Sequence, residues 1–205
     1  MNHPDYNAAI EYARSRMEKE LKPYLKYHGL EHTFDHVLPA AVRLAEAYEL
    51  DKDDIDLLKV AAAYHDIGWI VNGYEHEKES VRIAQAVLPS FGFQEESIDQ
   101  ITGIILATHP PQKPHNLLEE IMVDADLDVL GRDDFWKRNA DLRFEVSQNG
   151  QVFNDREWYL SQLEFLENHS YFTEAARQLR DEGKQAHIEE IETRLEHASS
   201  KSFHP

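Results

Sequence analysis

Twelve histidines and no cysteine occur among the 205 residues, so any transition metal held by this chain must be bound by imidazole and carboxylate groups. Three of the histidines, His28, His32 and His36, follow one another at intervals of four residues. On one continuous helix they would share a face, and a pair at this spacing can chelate a metal. However, Gly29 stands where the zincin motif requires a glutamate. A helix surface that carries solvated histidines would give the same pattern.

A second candidate, His65-Asp66, closes the most apolar stretch of the chain, residues 57–63. A carboxylate and an imidazole at the end of a buried helix are destabilising unless they are paired or bound to a metal. Adjacent side chains on a helix point about 100° apart, and a metal that lies between the two directions can bind both. The alternative is an ordinary helix end, where His65 faces the negative end of the helix dipole and Asp66 accepts hydrogen bonds in the turn.

Three carboxylates, Asp124, Asp126 and Asp128, occupy alternate positions in an otherwise apolar helical stretch. At least one of them should face inward, where a cation would stabilise it. Alternatively, the two outer acids are solvated and Asp126 forms a cap or a salt bridge. His76 lies near the start of one predicted helix and His109 at the end of another. Taken singly, each would also suit a surface or end-cap role.

Helical periodicity extends over most of the chain, whereas no strand-like alternation of useful length occurs. The helix over residues 53–67 is apolar nearly all round, so we expect it at the centre of the fold, with Gly68 as its C-terminal stop. The last helix could instead break near Gly183. The sequence therefore predicts an all-α fold, a single domain with a polar C-terminal extension, and helices over residues 5–25, 33–50, 53–67, 75–88, 95–108, 116–130, 133–147, 155–168 and 173–197.

The charge balance excludes several classes of protein. With 21 basic and 39 acidic residues, the formal charge is −18, which repels nucleic-acid duplexes and anionic membranes. No segment approaches the roughly 20 apolar residues that cross a bilayer, and residues 1–20 lack the apolar region of a signal peptide. We therefore expect a cytoplasmic protein without a nucleic-acid duplex or membrane as its partner. The oligomeric state is left open.

Together, these motifs resemble the HD-domain superfamily of metal-dependent phosphohydrolases. The resemblance covers about residues 27–131 and implies a helical bundle of the HD-domain type. It suggests an N-terminal helix over residues 1–26, an HD domain over 27–172, and a charged C-terminal helix and tail over 173–205. It rests on three segments: Tyr27-His28 followed by His32, then Tyr64-His65-Asp66-Ile67-Gly68, and last Ala125-Asp126-Leu127-Asp128.

The resemblance also implies a set of metal ligands. The basic site would consist of four residues, with His36 as an alternative to the first of them: His32, His65, Asp66 and Asp126. In the two-metal branches, which include diadenosine tetraphosphate hydrolases and cyclic-di-GMP phosphodiesterases, His76 and His109 would complete a six-ligand set in which Asp66 bridges. Such ligands suit one or two ions of Fe, Mn, Zn, Co or Ni.

The reaction implied by the resemblance is hydrolysis of a small phosphate ester or nucleotide by metal-bound hydroxide. A bound metal lowers the pKa of its water toward 7 and offsets charge on the phosphate oxygens. Asp66 would be catalytic, and His28 would donate a proton to the leaving oxygen. Because the chain is so acidic, an anionic substrate needs local cations. Lys113 and Arg132 are the predicted phosphate contacts, with ordinary surface salt bridges as the alternative.

Two departures from the family argue against particular subgroups. Gly29 stands where cyclic-nucleotide phosphodiesterases carry Asn, and Trp69 stands where cyclic-di-GMP enzymes carry Lys. Two further functions stay open. The same ligands serve the superfamily's mixed-valent di-iron oxygenases, and a metal-stabilised sensor or interaction domain without turnover would also fit. The last is favoured if Trp69 or Phe153 closes the pocket beside the metal.

Overall fold

The computed structural model describes residues 3–71 and 73–200, with the backbone alone for 198–200. Within this part of the chain there are nine α-helices and no β-strand, which confirms the predicted all-α fold. A π-helical turn (Glu31–Val37) precedes α2, and 3-10 turns cover Ile67–Ile70, Leu88–Phe91 and Asp128–Gly131. The α-helices are α1 (Tyr6–Glu20), α2 (Leu38–Ala47), α3 (Lys52–Tyr64), α4 (His76–Val87), α5 (Glu95–Ala107), α6 (Leu117–Asp126), α7 (Phe135–Gln148), α8 (Asp155–Asn168) and α9 (Glu174–Ser200).

Side-chain caps mark the starts of several helices near their predicted positions. The Asp51 side chain accepts a hydrogen bond from the Asp54 N–H at the start of α3, and Asn116 accepts one from Glu119 at the start of α6. Such caps satisfy backbone donors that have no partner within the helix. The predicted ends of α3, α4 and α6 extend too far because 3-10 turns follow these helices.

Met1–Leu127 form the first of two compact units. Within it, α3 packs against α1, α2, α5 and α6, which confirms the expected central position of the most apolar helix. Val60 and the three alanines at residues 61–63 are fully buried. Their small volume lets the surrounding helices approach closely, and the turn that follows α3 therefore lies in the interior.

Asp128–Pro205 form the second unit. Here α9 packs against α8 and against the 3-10 turn Asp128–Gly131. The alternative of a break near Gly183 is wrong, since α9 is continuous through it. A Cβ added at Gly183 would lie 2.3 Å from the Gly131 carbonyl oxygen, so glycine allows the helix to pack directly on this turn.

The two compact units divide after Leu127. The predicted domain boundaries lie elsewhere, after residue 26 and after residue 172, and they stay predictions. The end of the predicted tail, residues 201–205, lies outside the described residues. Among the helices of the described part, none is both long enough and apolar enough to cross a membrane.

Candidate metal centre

The end of α3 presents His65 and Asp66 side by side in the interior. Asp66 leaves the helix with φ −103° and ψ 0°, in a backbone region where many active-site residues lie. The Nδ1 atom of His65 is 2.8 Å from the Ala62 carbonyl oxygen, one of the carbonyls left without a partner at a helix end. When Nδ1 donates to this carbonyl, Nε2 carries the lone pair, as in a metal-binding histidine.

Two further residues meet this pair from other helices. His32, on the π-helical turn, places its Nε2 3.0 Å from Oδ1 of Asp126 and 3.6 Å from Oδ2 of Asp66. His65 Nε2 lies 3.3 Å from the same Asp66 oxygen and 3.5 Å from the same Asp126 oxygen. We call these four residues the central cluster. A π-helical turn at such a position is typical of functional sites. It carries both predicted alternatives, His32 and His36, and the contacts with Asp66 and Asp126 are those of His32.

The donors of the central cluster fit a divalent transition metal. In the described part of the chain, Nε2 of His65 and Oδ2 of Asp66 are buried without a hydrogen-bond partner, although the two atoms lie only 3.3 Å apart. One ligand atom each from His32, His65 and Asp66 lies within 4.8 Å of the others. Ligands about 2.1 Å from a shared ion are about 3.0–3.4 Å apart, close to the separations in the cluster.

A third imidazole reaches the other oxygen of Asp66. His76, the first residue of α4, places its Nε2 3.1 Å from Oδ1 of Asp66 and 3.6 Å from Oε1 of Glu77. Both oxygens of the Asp66 carboxylate therefore face imidazole nitrogens. This arrangement is what a carboxylate shared between two ions requires.

Ser80 fastens α4 to the turn after α3. Its hydroxyl donates to the His65 carbonyl oxygen at 2.6 Å and accepts from the Gly68 N–H at 2.9 Å. Ser80 carries no distinctive signal in the sequence, because a single serine on an amphipathic helix has no characteristic spacing. Its contacts hold the start of α4, and with it His76, beside Asp66.

His28 and Trp69 lie at the edge of the central cluster. His28 precedes the π-helical turn, and its ring centroid is 6.1 Å from that of His32 and 5.9 Å from that of His76. The indole of Trp69 stacks on both His28 and His76, with centroid distances of 4.4 Å and 4.8 Å. His28 and Trp69 are both partly exposed. Phe153, the other residue predicted to be able to close the pocket beside the metal, belongs to the second unit.

His109 lies just after the end of α5 and is partly exposed. The group of possible metal ligands found among the described residues consists of His32, His65 and Asp66, so it contains neither His109 nor the predicted ligands His76 and Asp126. His109 instead lines a cavity of about 460 Å³ together with Lys78, Lys113 and His115. Its predicted role as a ligand and the phosphate contact of Lys113 stay predictions, but the two residues share one cavity.

Arg132 is engaged with acidic neighbours in the second unit. Its Nε and Nη2 donate to the two carboxylate oxygens of Asp134 at 2.8 Å and 2.6 Å, and Nη1 is 3.9 Å from Asp128. A salt bridge of this kind was the alternative to a phosphate contact, which stays a prediction for Arg132.

The other two acids of the triplet are buried. The alternative that Asp124 and Asp128 are solvated is therefore wrong, since they are 0% and 4% exposed. Arg180 donates to both oxygens of Asp128, at 2.7 Å and 3.1 Å, which compensates its burial. The side chain of Asp126 is 21% exposed, so this predicted ligand lies at the open side of the central cluster.

Opposite charges dominate the electrostatics of the central cluster. Burial disfavours the charged form of His65, but the carboxylates of Asp66 and Asp126 outweigh it and raise the pKa of His65 well above its usual value. Burial likewise opposes ionisation of Asp66, yet contacts with His65 and His76 hold its pKa well below the usual range. At His32, burial prevails over the same carboxylates and lowers the pKa. Without a metal, the ionised carboxylates thus favour the charged form of His65, whereas burial favours the neutral form of His32, which a metal can bind.

Residues 30–128 match the HD domain, and this segment contains the whole central cluster. Residues 30–128 are an HD domain. The fold is similar to that of a predicted HD-superfamily hydrolase from an uncultured Thermotogales bacterium, with 21% identity, a TM-score of 0.62, and coverage of 95% of this chain and 93% of that one. It is also similar to Bacillus subtilis YpgQ in complex with ADP, with 19% identity, a TM-score of 0.65, and coverage of 92% and 94%. No curated protein matches the chain. At these identities the likeness establishes the fold, and it confirms the predicted HD-type bundle.

Proposed function

We propose that this protein is a metal-dependent phosphohydrolase that acts on a small phosphate ester or nucleotide. The proposal rests above all on the buried Nε2 of His65 and Oδ2 of Asp66, which lack hydrogen-bond partners in the described residues. The HD domain and the HD-superfamily hydrolase with the same fold support it. The ADP complex of YpgQ supports a nucleotide-like substrate.

The proposed ligands follow from the contacts of Asp66. The central cluster would hold one ion, and His76 would hold a second through the other carboxylate oxygen of Asp66. His109 is proposed as the sixth ligand on the resemblance alone. A bound divalent metal supplies an acidified water as the nucleophile and offsets the charge on the phosphate oxygens.

His28 is the proposed general acid. In the hydrolysis, an oxygen of water forms a bond to phosphorus, the bond between phosphorus and the leaving oxygen breaks, and the leaving oxygen takes up a proton. His28 lies beside His32 and His76 at the partly exposed edge of the cluster, where a substrate can reach it. An imidazole titrates near neutral pH, so it can supply this proton and regain it from solvent.

The cavity beside α5 offers cations for the substrate's phosphates. Lys78 and Lys113 line it, together with one acid, Glu119, in a chain whose net charge of −18 otherwise repels anions. Replacing exposed Lys113 by alanine should raise KM roughly five-fold with little change in kcat, because an exposed charge pair contributes at most about 1 kcal/mol. Lys19→Ala, at an exposed position on α1, is the control. An unchanged KM in both variants would remove Lys113 from the substrate site.

Metal content is the decisive first measurement. The chain, purified without chelator, should contain one to two transition-metal ions, and Asp66→Asn should lose them. Asp56→Asn is a matched control, because it removes another buried carboxylate, which lies in α3 and is paired with Lys52 and Lys59. The control should keep its metal. A fully folded wild-type chain that binds no transition metal would refute the proposed site.

Activity separates the candidate functions. Loaded with Mn²⁺, the wild type should release phosphate from at least one phosphomonoester or nucleotide, and Asp66→Asn should not. If the iron-loaded chain consumes O₂ and releases no phosphate, the oxygenase alternative replaces the proposed function. If neither reaction occurs although the metal is bound, the alternative of a sensor or interaction domain without turnover replaces the proposed function.

A further inference from the structure

Trp69 joins two histidines that come from different segments of the chain. Its ring lies nearly parallel to both imidazoles, with interplanar angles of 22° to His28 and 27° to His76. His28 precedes the π-helical turn, whereas His76 begins α4. Stacked rings at centroid distances of 4.4 Å and 4.8 Å restrict rotation of each imidazole about its side-chain bonds.

The backbone ties this indole to Asp66. The backbone N–H of Trp69 donates to the Asp66 carbonyl oxygen at 3.1 Å, so one short turn carries both the Asp66 carboxylate and the indole ring that stacks on the histidines. Gly73 packs directly against the six-membered ring of the indole, since a Cβ added there would lie 2.3 Å from Cζ3 of Trp69. The ring position is therefore determined by its own turn and by Gly73.

Hydrogen bonding does not account for this placement. In the described residues, Nε1 of Trp69 is buried and has no hydrogen-bond partner. A buried donor without an acceptor is unfavourable, so the favourable contacts of the side chain must come from the ring itself. Those contacts are with His28, His76 and Gly73.

We propose that Trp69 is a positioning residue that fixes the ring planes of His28 and His76. The stacked indole keeps Nε2 of His76 directed at Oδ1 of Asp66, 3.1 Å away. His76 is the first residue of α4 and its side chain is 16% exposed, so without the indole its imidazole can turn toward solvent. The same stacking holds His28 beside the cluster. The consequence for catalysis rests on the proposed function, whereas the stacking itself does not.

Two substitutions at Trp69 separate stacking from other roles. Trp69→Phe keeps an aromatic face and removes the unpartnered N–H, whereas Trp69→Leu removes the aromatic face. Trp136→Phe is the matched control, because it alters an indole of the second unit that stacks on Arg194. We expect Trp69→Leu to weaken binding of the second of two Mn²⁺ ions at least about ten-fold, as losses of ligand-orienting partners do. Trp69→Phe and the control Trp136→Phe should bind both ions as the wild type does.

A readout without metal tests the stacking directly. In the chelator-treated protein, ring currents of the indole should shift the imidazole C–H resonances of His28 and His76 upfield. Trp69→Leu should abolish these shifts, and Trp69→Phe should retain part of them. Gly73→Ala, which pushes on the indole without touching a histidine, should alter the same two resonances and weaken the second ion.

The outcomes distinguish this proposal from the proposed function. If the wild type binds two ions and Trp69→Leu binds them equally well while only its melting temperature falls, Trp69 is merely packing and the proposal is overturned. If Trp69→Phe weakens binding of the second ion as much as Trp69→Leu does, the indole N–H rather than the ring face matters, which also overturns the proposal. If the wild type binds no metal, the proposed function fails, and the two histidine resonances still decide whether Trp69 positions these rings.

Discussion

Gly68 controls how closely α4 approaches Asp66, and replacing it by alanine should separate them. A Cβ at this position would lie 1.9 Å from the His76 carbonyl oxygen and 2.8 Å from the Ser80 backbone nitrogen. Ordinary contact begins at 3.4 Å, so the backbones must move apart by about 1.5 Å, a clash of the overpacking kind. Such a shift would take His76 Nε2, now 3.1 Å from Asp66, beyond hydrogen-bond range.

Gly68→Ala should lower both the stability of the protein and its affinity for the second metal ion. Overpacking of this kind lowers the free energy of unfolding by about 1–3 kcal/mol, which urea titration will show as a lower midpoint at unchanged slope. The variant should bind its first metal ion but lose affinity for the second by about ten-fold or more, as measured by calorimetric titration with Mn²⁺.

A second glycine provides the control for stability. Gly103 lies within α5, and a Cβ there would meet only Oε1 of Glu119, at 3.5 Å. Gly103→Ala should therefore raise the free energy of unfolding by about 0.5–1 kcal/mol, since alanine is the better helix former. If Gly68→Ala is as stable as the wild type and binds two ions with unchanged affinity, the close approach at Gly68 does not position His76.

Three further predictions concern single side chains. Ser80→Ala leaves a buried N–H and a carbonyl without their partner, so the free energy of unfolding should fall by about 2 kcal/mol; an unchanged urea midpoint would contradict this role. Burial and nearby Lys184 lower the pKa of His169 from 6.5 to about 4. Between these values the unfolded chain binds a proton that the native one does not, so acidification should cost up to about 3 kcal/mol. In urea titrations at pH 7 and pH 4.5, His169→Gln should therefore lose less free energy of unfolding on acidification than the wild type does. An identical pH dependence in both proteins would refute this role of His169. Replacing His76 or His109 by alanine should lower the metal content from two ions toward one, and a content that stays at two would argue against that histidine as a ligand.

Local patterns were sufficient for most of the helices and for the burial of His65 and Asp66, whereas the four-residue ligand set was implied by the family resemblance. The apolar run at the C-terminal end of α3 identifies this part of the helix as buried on all sides, because Val60 and the alanines after it leave no polar face. The burial of His65 and Asp66 follows from the same pattern, since they end this helix. Their need for a cation or partner is a matter of residue type and burial alone.

Distances between remote segments could not be read from spacing. His32 and Asp126 are 94 residues apart in the chain and 3.0 Å apart in space, and packing of the π-helical turn against α6 brings them together. Gly68 looked like a helix stop, but it is required for the close approach of α4. Likewise, spacing alone gave Asp128 no partner, whereas the fold pairs it with Arg180.

The difference between what the sequence determines and what only the tertiary structure determines has a physical reason. Helix formation and burial depend on residues within one or two turns of each other, so composition and periodicity record them. Ligand geometry depends on backbone contacts between helices, where one Cβ or one hydroxyl changes separations by more than an ångström. Residue order therefore predicts an all-α chain, and its resemblance to the HD domain implies a set of imidazole and carboxylate ligands. Only the packing of α4 on the turn after α3 placed His76 beside the second oxygen of Asp66. His109, just after the end of α5, lies in a cavity with Lys113.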